Sequence, residues 1–188
     1  AFALFYTFLG IPIARLADRG SRTWIMTGAL AIWSGFTALC GQAQSFLQLF
    51  VARVGVGVGE AGGVAPAFSL ISDYFPPRQR ARALAVFSFG VPIGSGLGTL
   101  LGGLVASAVD WRVAFLSVGV GGLLLAPLFR LTVREPVRGA LDALSGSPPV
   151  ARGSFPGAVR LLARRRSFLL PPLGASSSSV VGYGLLFW

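Results

Sequence analysis

Arg53-Val54-Gly55-Val56-Gly57-Val58-Gly59-Glu60-Ala61 sets a guanidinium and a carboxylate in the middle of a long apolar run. All other charges lie within loop distance of the end of an apolar segment. An ionisable side chain at bilayer depth costs at least about 2.5–3.5 kcal/mol, so it persists where it faces a cavity, a partner or a pathway. A step of about seven residues along a helix returns to within about 20° of its starting direction, which puts Arg53, Gly57 and Glu60 on one face. The two charged residues are then about 10 Å apart along the axis. The long arginine reaches toward the carboxylate, and the intervening glycines keep a groove open. Such a stripe reads as the interior lining of a transporter.

Composition places the stripe in lipid. Hydrophobic residues make up 54% of the 188 and charged residues 12%, about half the charge of a soluble domain. Mean hydropathy is +0.74. The 26 glycines, roughly double ordinary usage, lie within apolar runs, where they let helices approach closely. The net charge of +10 comes from 16 arginines, with no lysine or histidine. No basic stripe with interleaved stacking aromatics is present, which argues against nucleic acid as a partner. One cysteine, Cys40, and no histidine exclude a disulfide framework and a His/Cys metal site. No cofactor is expected. A lone carboxylate at membrane depth, without histidine or a second acid, is a poor catalytic constellation, so an enzyme is not expected.

Spanning segments need about 20 apolar residues. They fall at 1–14 (incomplete), 23–41, 46–74, 82–108, 112–130 and 167–188 (truncated). Their length selects helices over barrel strands of about 10 residues. Both ends of the chain lie inside apolar segments, so the sequence reads as a fragment of a longer membrane protein. Three parts are expected: a membrane domain over 1–130, a connection over 131–166, and the first helix of a second membrane domain over 167–188. The connection is either a flexible linker or an in-plane amphipathic helix carrying Phe155, Val159 and Leu162. Of the 16 arginines, 14 lie in loops on one side, which predicts that this side is cytoplasmic. Trp24 and Trp111 begin segments as interfacial anchors.

Ala14-Arg15-Leu16-Ala17-Asp18-Arg19-Gly20-Ser21-Arg22-Thr23 resembles the signature G-x-L-x-D-R-x-G-R-R/K of the major facilitator superfamily, between its second and third helices. Ala14, Gly20-Ser21 and Thr23 depart from it, while Asp18, Arg19 and Arg22 match. The resemblance implies an all-α membrane protein with a partial major facilitator fold. The chain would hold helices two to seven of twelve: most of the N-terminal six-helix domain, the central loop and the start of the C-terminal domain. Arg53, Gly57 and Gly59 match the fourth-helix pattern R-x-x-x-G-x-G. With Glu60-Ala61, Pro66 and the stretch Leu131-Thr132-Val133-Arg134-Glu135-Pro136-Val137-Arg138-Gly139, they resemble the Spinster branch, including its bacterial members.

That resemblance implies a secondary active transporter working by alternating access in the bacterial inner membrane. It further implies protons as coupling partners, membrane lipids as surroundings, and a lysolipid or other amphiphilic organic anion as substrate. The alternatives are a facilitator exporting or importing small aqueous metabolites or drugs, and a membrane scaffold without transport. Glu60 is the expected proton-coupling site, with Arg53 its partner or an anchor for an anionic head group. Asp18, Arg19 and Arg22 form an expected cytoplasmic gate, joined by Asp73 with Arg80 or Arg82 from the turn at 73–82. Gly57 and Gly59 are expected in packing. Gly94-Ser95-Gly96-Leu97-Gly98-Thr99-Leu100-Leu101-Gly102-Gly103 resembles the antiporter signature G-x-x-x-G-P-x-x-G-G, with Thr99 at the proline position. It marks Gly94, Gly98, Gly102 and Gly103 as packing or hinge residues, with a break at Pro92. Ser178 and Tyr183 are candidate cavity-lining groups in the last segment.

Overall fold

Helix starts are set by short polar side chains. Ser21, Ser45 and Asp110 each accept a backbone N–H two or three residues on, from Trp24, Gln48 and Arg112, satisfying a donor that the first turn leaves orphaned. The computed structural model describes residues 2–144 and, beyond them, 157, 161–162, 170 and 174–177. Among the described residues the helices are α1 (Phe2–Arg19), α2 (Arg22–Gln42), α3 (Phe46–Glu60), α4 (Val64–Tyr74), α5 (Pro77–Ala108), α6 (Trp111–Thr132) and α7 (Ala140–Leu144). Among the described residues, four stretches are long and apolar enough to cross a membrane: α2, α3 with α4, α5 and α6.

The segment expected over 46–74 divides into α3 and α4 at residues 61–63. Pro66 has no N–H for the carbonyl of Gly62, and its ring crowds that carbonyl. The backbone tightens instead: Gly62 donates to Gly59 O and Gly63 to Glu60 O, both at 3.0 Å. These are the shorter-range bonds of a 3₁₀ turn, and Glu60 is the last residue before it. Pro92, expected to break its helix, is carried within α5, which runs unbroken from Pro77 to Ala108.

α2 is the centre of the bundle, and glycines bring its neighbours close. On one side, Gly55, Gly59 and Gly62 of the α3 segment meet Phe36, Trp33 and Ala29; a Cβ at Gly59 would stand 2.5 Å from the Trp33 nitrogen. On the other, Gly119 and Gly122 of α6 meet Ala38 and Ser34, and Gly41 of α2 meets Arg112 O and Leu116. Between α2 and α3, Cys40, Ala52 and Val56 form a small core with Trp33, Phe36, Leu49 and Phe115 around it. In lipid the apolar effect does not separate helix faces, so close backbone approach and dispersion hold such seams. α5 differs: it has no buried residue, and nothing described lies within 4 Å of a Cβ built at Gly94, Gly98, Gly102 or Gly103.

The chain divides into two compact units, Ala1–Ser147 and Pro148–Trp188. Residues 131–144 fold with the first unit. In the second, positions 157, 161–162, 170 and 174–177 are helical. The amphipathic stretch expected around Phe155 and Val159, and the candidates Ser178 and Tyr183, lie outside the described residues.

Candidate functional site

At about 100° per residue, α3 presents two opposed faces. Gly55 and Gly59, with Gly62 just beyond, form the face against α2. Arg53, Gly57 and Glu60 lie on the opposite side, as their spacing predicts. Gly57 is buried, Glu60 half-buried and Arg53 exposed. The two charges are not joined. Among the described residues the ion pairs are Arg22–Asp73, Arg22–Glu135 and Arg80–Asp142. The Arg53 guanidinium instead lies over the Phe115 ring, 4.9 Å from its centroid. The reason is directional. Side chains on a helix lean toward its N-terminus, so Arg53 extends toward the start of α3 and away from Glu60. Phe115 meets Trp111 edge-on at 5.9 Å, and Arg112 stacks on Trp111 at 4.3 Å while donating to Ala43 O at 2.8 Å.

At the arginine-rich end the structure gathers a denser cluster. Arg22 is 1% exposed although it is fully ionised. Its Nε donates to Glu135 Oε1 at 2.7 Å, and its Nη1 to the Asp73 carboxylate and to Ser69 Oγ at 2.9 Å. Its Nη2 donates to Pro136 O at 3.2 Å. A buried guanidinium is tolerable when its fork is satisfied in this way. Glu135 also accepts from the Thr23 N–H and the Ser21 hydroxyl, both at 2.9 Å. Burial works to raise its pKa, but the Thr23 amide, the Arg22 guanidinium and the Ser21 hydroxyl outweigh it and bring the carboxyl down to about 2.

Arg138 closes the other side of the same turn. Its guanidinium donates to the carbonyls of Asp18, Ala17 (2.6 Å) and Gly20 (2.5 Å). The Gly139 N–H donates to Asp73 Oδ1 at 3.0 Å, and the Tyr74 hydroxyl donates to Arg134 O.

Of the expected gate residues, Arg22 and Asp73 therefore meet, but within this bundle. Arg80 does not join Asp73; it pairs with Asp142 of α7 at 2.6 Å and donates to Phe75 O. Arg82 lines a cleft of about 540 Å³ with Phe75, Gln79 and Phe87. Asp18 and Arg19 keep exposed side chains. Glu135 and Arg138 are the residues that sequence reasoning missed as participants. A signal existed: Glu135 is one of only six acids in the chain and sits in an arginine-rich stretch, so it was bound to be contested by cations.

The profile of the Major Facilitator Superfamily matches residues 1–188. The chain belongs to the major facilitator superfamily. It is 38% identical over 184 residues to an MFS-type efflux pump of Mycolicibacterium smegmatis, covering 98% of this chain and 42% of that protein. It is 40% identical over 187 residues to protein spinster homolog 1 of Mus musculus, covering 97% of this chain and 35% of that one. A solved bacterial homolog of the human lysosomal transporter Spinster, inward-facing and unoccupied, superposes with a TM-score of 0.74 at 38% identity, over 98% of this chain and 44% of its own. The same kind of homolog in an inward-facing occupied form gives 0.65 at 42% identity, over 76% and 36%. The superfamily chain is thus Spinster-like and spans less than half the length of these relatives. With its apolar helices, this makes it part of a multi-pass integral membrane protein.

Proposed function

We propose that the whole protein is a secondary active transporter working by alternating access, driven by protons, and that Glu60 carries the coupling proton. The observation behind this reading is the position of Glu60. It is a half-buried carboxylate, outside any ion pair among the described residues, at the bend between α3 and α4. Breaks in spanning helices are where transporters place ion and substrate groups, because the freed backbone and altered helix ends lie beside a cavity. A carboxylate there changes from anion to neutral acid when protonated, which alters the cost of closing the cavity around it and so shifts the balance of states.

Arg53 lies on the same stripe as a fixed cation. Phe115 covers the face of its guanidinium, leaving edge N–H groups for an anionic head group. An amphiphilic organic anion such as a lysolipid suits a cation beside the apolar walls of these helices. The inner membrane of a bacterium is the proposed location, with the arginine-rich end cytoplasmic, and Asp18 and Arg19 are the proposed gate contacts. The efflux-pump relative favours a second reading, export of drugs or small metabolites.

The test is uptake into proteoliposomes by the full-length protein under an imposed pH step, comparing lysolipid with drugs and sugars. Glu60→Gln should remove gradient-driven accumulation while leaving the purified protein folded. Undiminished uphill transport by that variant refutes the coupling role.

A further inference from the structure

Residues 133–139, the strap between α6 and α7, treat the α1–α2 turn as two adjoining helix ends. At the C-terminal end of α1, carbonyls lack intrahelical partners and carry partial negative charge; at the N-terminal end of α2, N–H groups carry partial positive charge. Arg138 supplies a cation to the first, through Ala17 O, Asp18 O and Gly20 O. Glu135, only three residues earlier, supplies an anion to the second, through the Thr23 N–H. The strap is also tied to α4 through Gly139 N–H and Asp73, and through Tyr74 and Arg134 O. Arg22, bonded to Asp73 and Glu135 alike, closes the ring. No other link of comparable density joins α1, α2, α4 and the strap among the described residues.

We propose that Glu135 and Arg138 are positioning residues that hold the α1–α2 turn rigidly against α4, so that the exposed side chains of Asp18 and Arg19 are presented in one fixed geometry. The proposal rests on the transport reading for its functional consequence, but not for its structural one. The division of labour is specific. Arg22 and Asp73 are consumed inside the bundle, whereas Asp18 and Arg19 contribute backbone or nothing to the ring and, among the described residues, their exposed side chains join no ion pair. Loss of either strap residue uncovers charged or orphaned groups at one pole only: Glu135→Gln releases the start of α2, and Arg138→Gln the end of α1.

The experiment uses the full-length protein in nanodiscs, with hydrogen exchange followed by mass spectrometry and uptake measured in parallel. Glu135→Gln should speed exchange at Thr23 and the following amides about tenfold, the size of one lost charge-assisted bond. Arg138→Gln should do the same at the end of α1. Exchange across the α2–α3 seam should not move in either variant. Turnover should fall with KM unchanged, and Glu135→Asp, which keeps the anion, should recover most of it. If Glu135→Gln does not fold, Arg138→Gln reads the same strap from its other end. Unchanged exchange at the turn overturns the proposal, as does a uniform rise over the whole bundle, or a KM change with constant turnover. If the wild type moves none of the substrates while the turn still loosens as stated, the transport reading fails and the strap assignment stands.

Discussion

Glu135 accepts the backbone N–H of Thr23 at 2.9 Å across 112 positions of sequence, so the cap of α2 comes from the segment that follows α6, remote in sequence but at the same end of the bundle. Ser21, the local cap, is itself turned into the arrangement and donates its hydroxyl to the same carboxylate oxygen. A local cap alone would leave α2 free to tilt with its own turn. A remote one couples that turn to α6, whose C-terminal end launches the strap.

The coupling has a defined pH range. Glu135 has a folded-state pKa of about 2, below the ordinary value near about 4.3. A depressed carboxylate adds stability that is fully present above the unfolded value and is lost as pH falls through the folded one. Arg22, facing it from α2, stays charged throughout, and Asp73 and Arg138 complete the surroundings. Protection of the Thr23 amide should therefore hold from neutral pH through about pH 4 and decline only toward pH 2. A loss centred between about pH 4 and 5, measured by exchange at matched intrinsic rates, would show that the carboxylate is not held this way.

The two classes of ion pair at this end should differ in cost. Arg22 is 1% exposed in its side chain and Asp73 10%, whereas Arg80 and Asp142 are 23% and 41% exposed. Removing the Asp73 charge leaves the buried Arg22 with Glu135 and neutral acceptors, a loss of about 1.5–3 kcal/mol for one charge-assisted hydrogen bond. Removing one partner of the exposed pair changes stability by less than about 1 kcal/mol. Asp73→Asn should thus lower the thermal midpoint clearly and Asp142→Asn barely, with only the latter sensitive to added salt. Equal shifts contradict the burial contrast.

What was legible in the sequence follows from which interactions are local. The spans were readable because a run of apolar residues reports its own burial in lipid, and the shared face of Arg53, Gly57 and Glu60 follows from helix geometry alone. The bend after Glu60 was less visible, since Pro66 acts on a carbonyl four residues back and needs Gly62 and Gly63 to yield. Arg53, expected as the partner of Glu60 or as an anchor for an anionic head group, forms no ion pair with Glu60 among the described residues. Spacing fixes the face, but the lean of side chains along α3 and the arrival of Phe115 from α6 decide the partner. Arg80 went to Asp142 rather than Asp73 for a similar reason, because Asp73 was already claimed by Arg22. Asp18 and Arg19 fit a gate only in the sense that their side chains remain exposed.

Two neighbouring glycines of α6 separate packing from composition. A Cβ at Gly119 would meet Ala38, with the Ala38 Cα at 2.7 Å, whereas nothing lies within 4 Å at Gly121. The obstacle at Gly119 is backbone and cannot rotate away. Gly119→Ala should force α2 and α6 apart and cost about 1–3 kcal/mol. Gly121→Ala should be neutral or stabilising by up to about 1 kcal/mol, from helix propensity. Thermal unfolding of the two variants in detergent checks this, and a neutral Gly119→Ala would mean that the seam is looser than described.

Gly139 isolates the cost of backbone conformation in the strap. Its φ is +66°, and a Cβ there would meet nothing within 4 Å, so substitution is penalised by left-handedness and not by crowding. Gly139→Ala should cost about 1–2 kcal/mol, and Gly139→Asn less, because asparagine tolerates this region better. The damage should be local, since the Gly139 N–H is the strap's bond to Asp73. Exchange should therefore rise at 137–140 and at the end of α4, and stay constant through α2 and α3. An alanine variant matching the wild type in both thermal midpoint and local exchange would place this residue outside the left-handed region and detach the strap from α4.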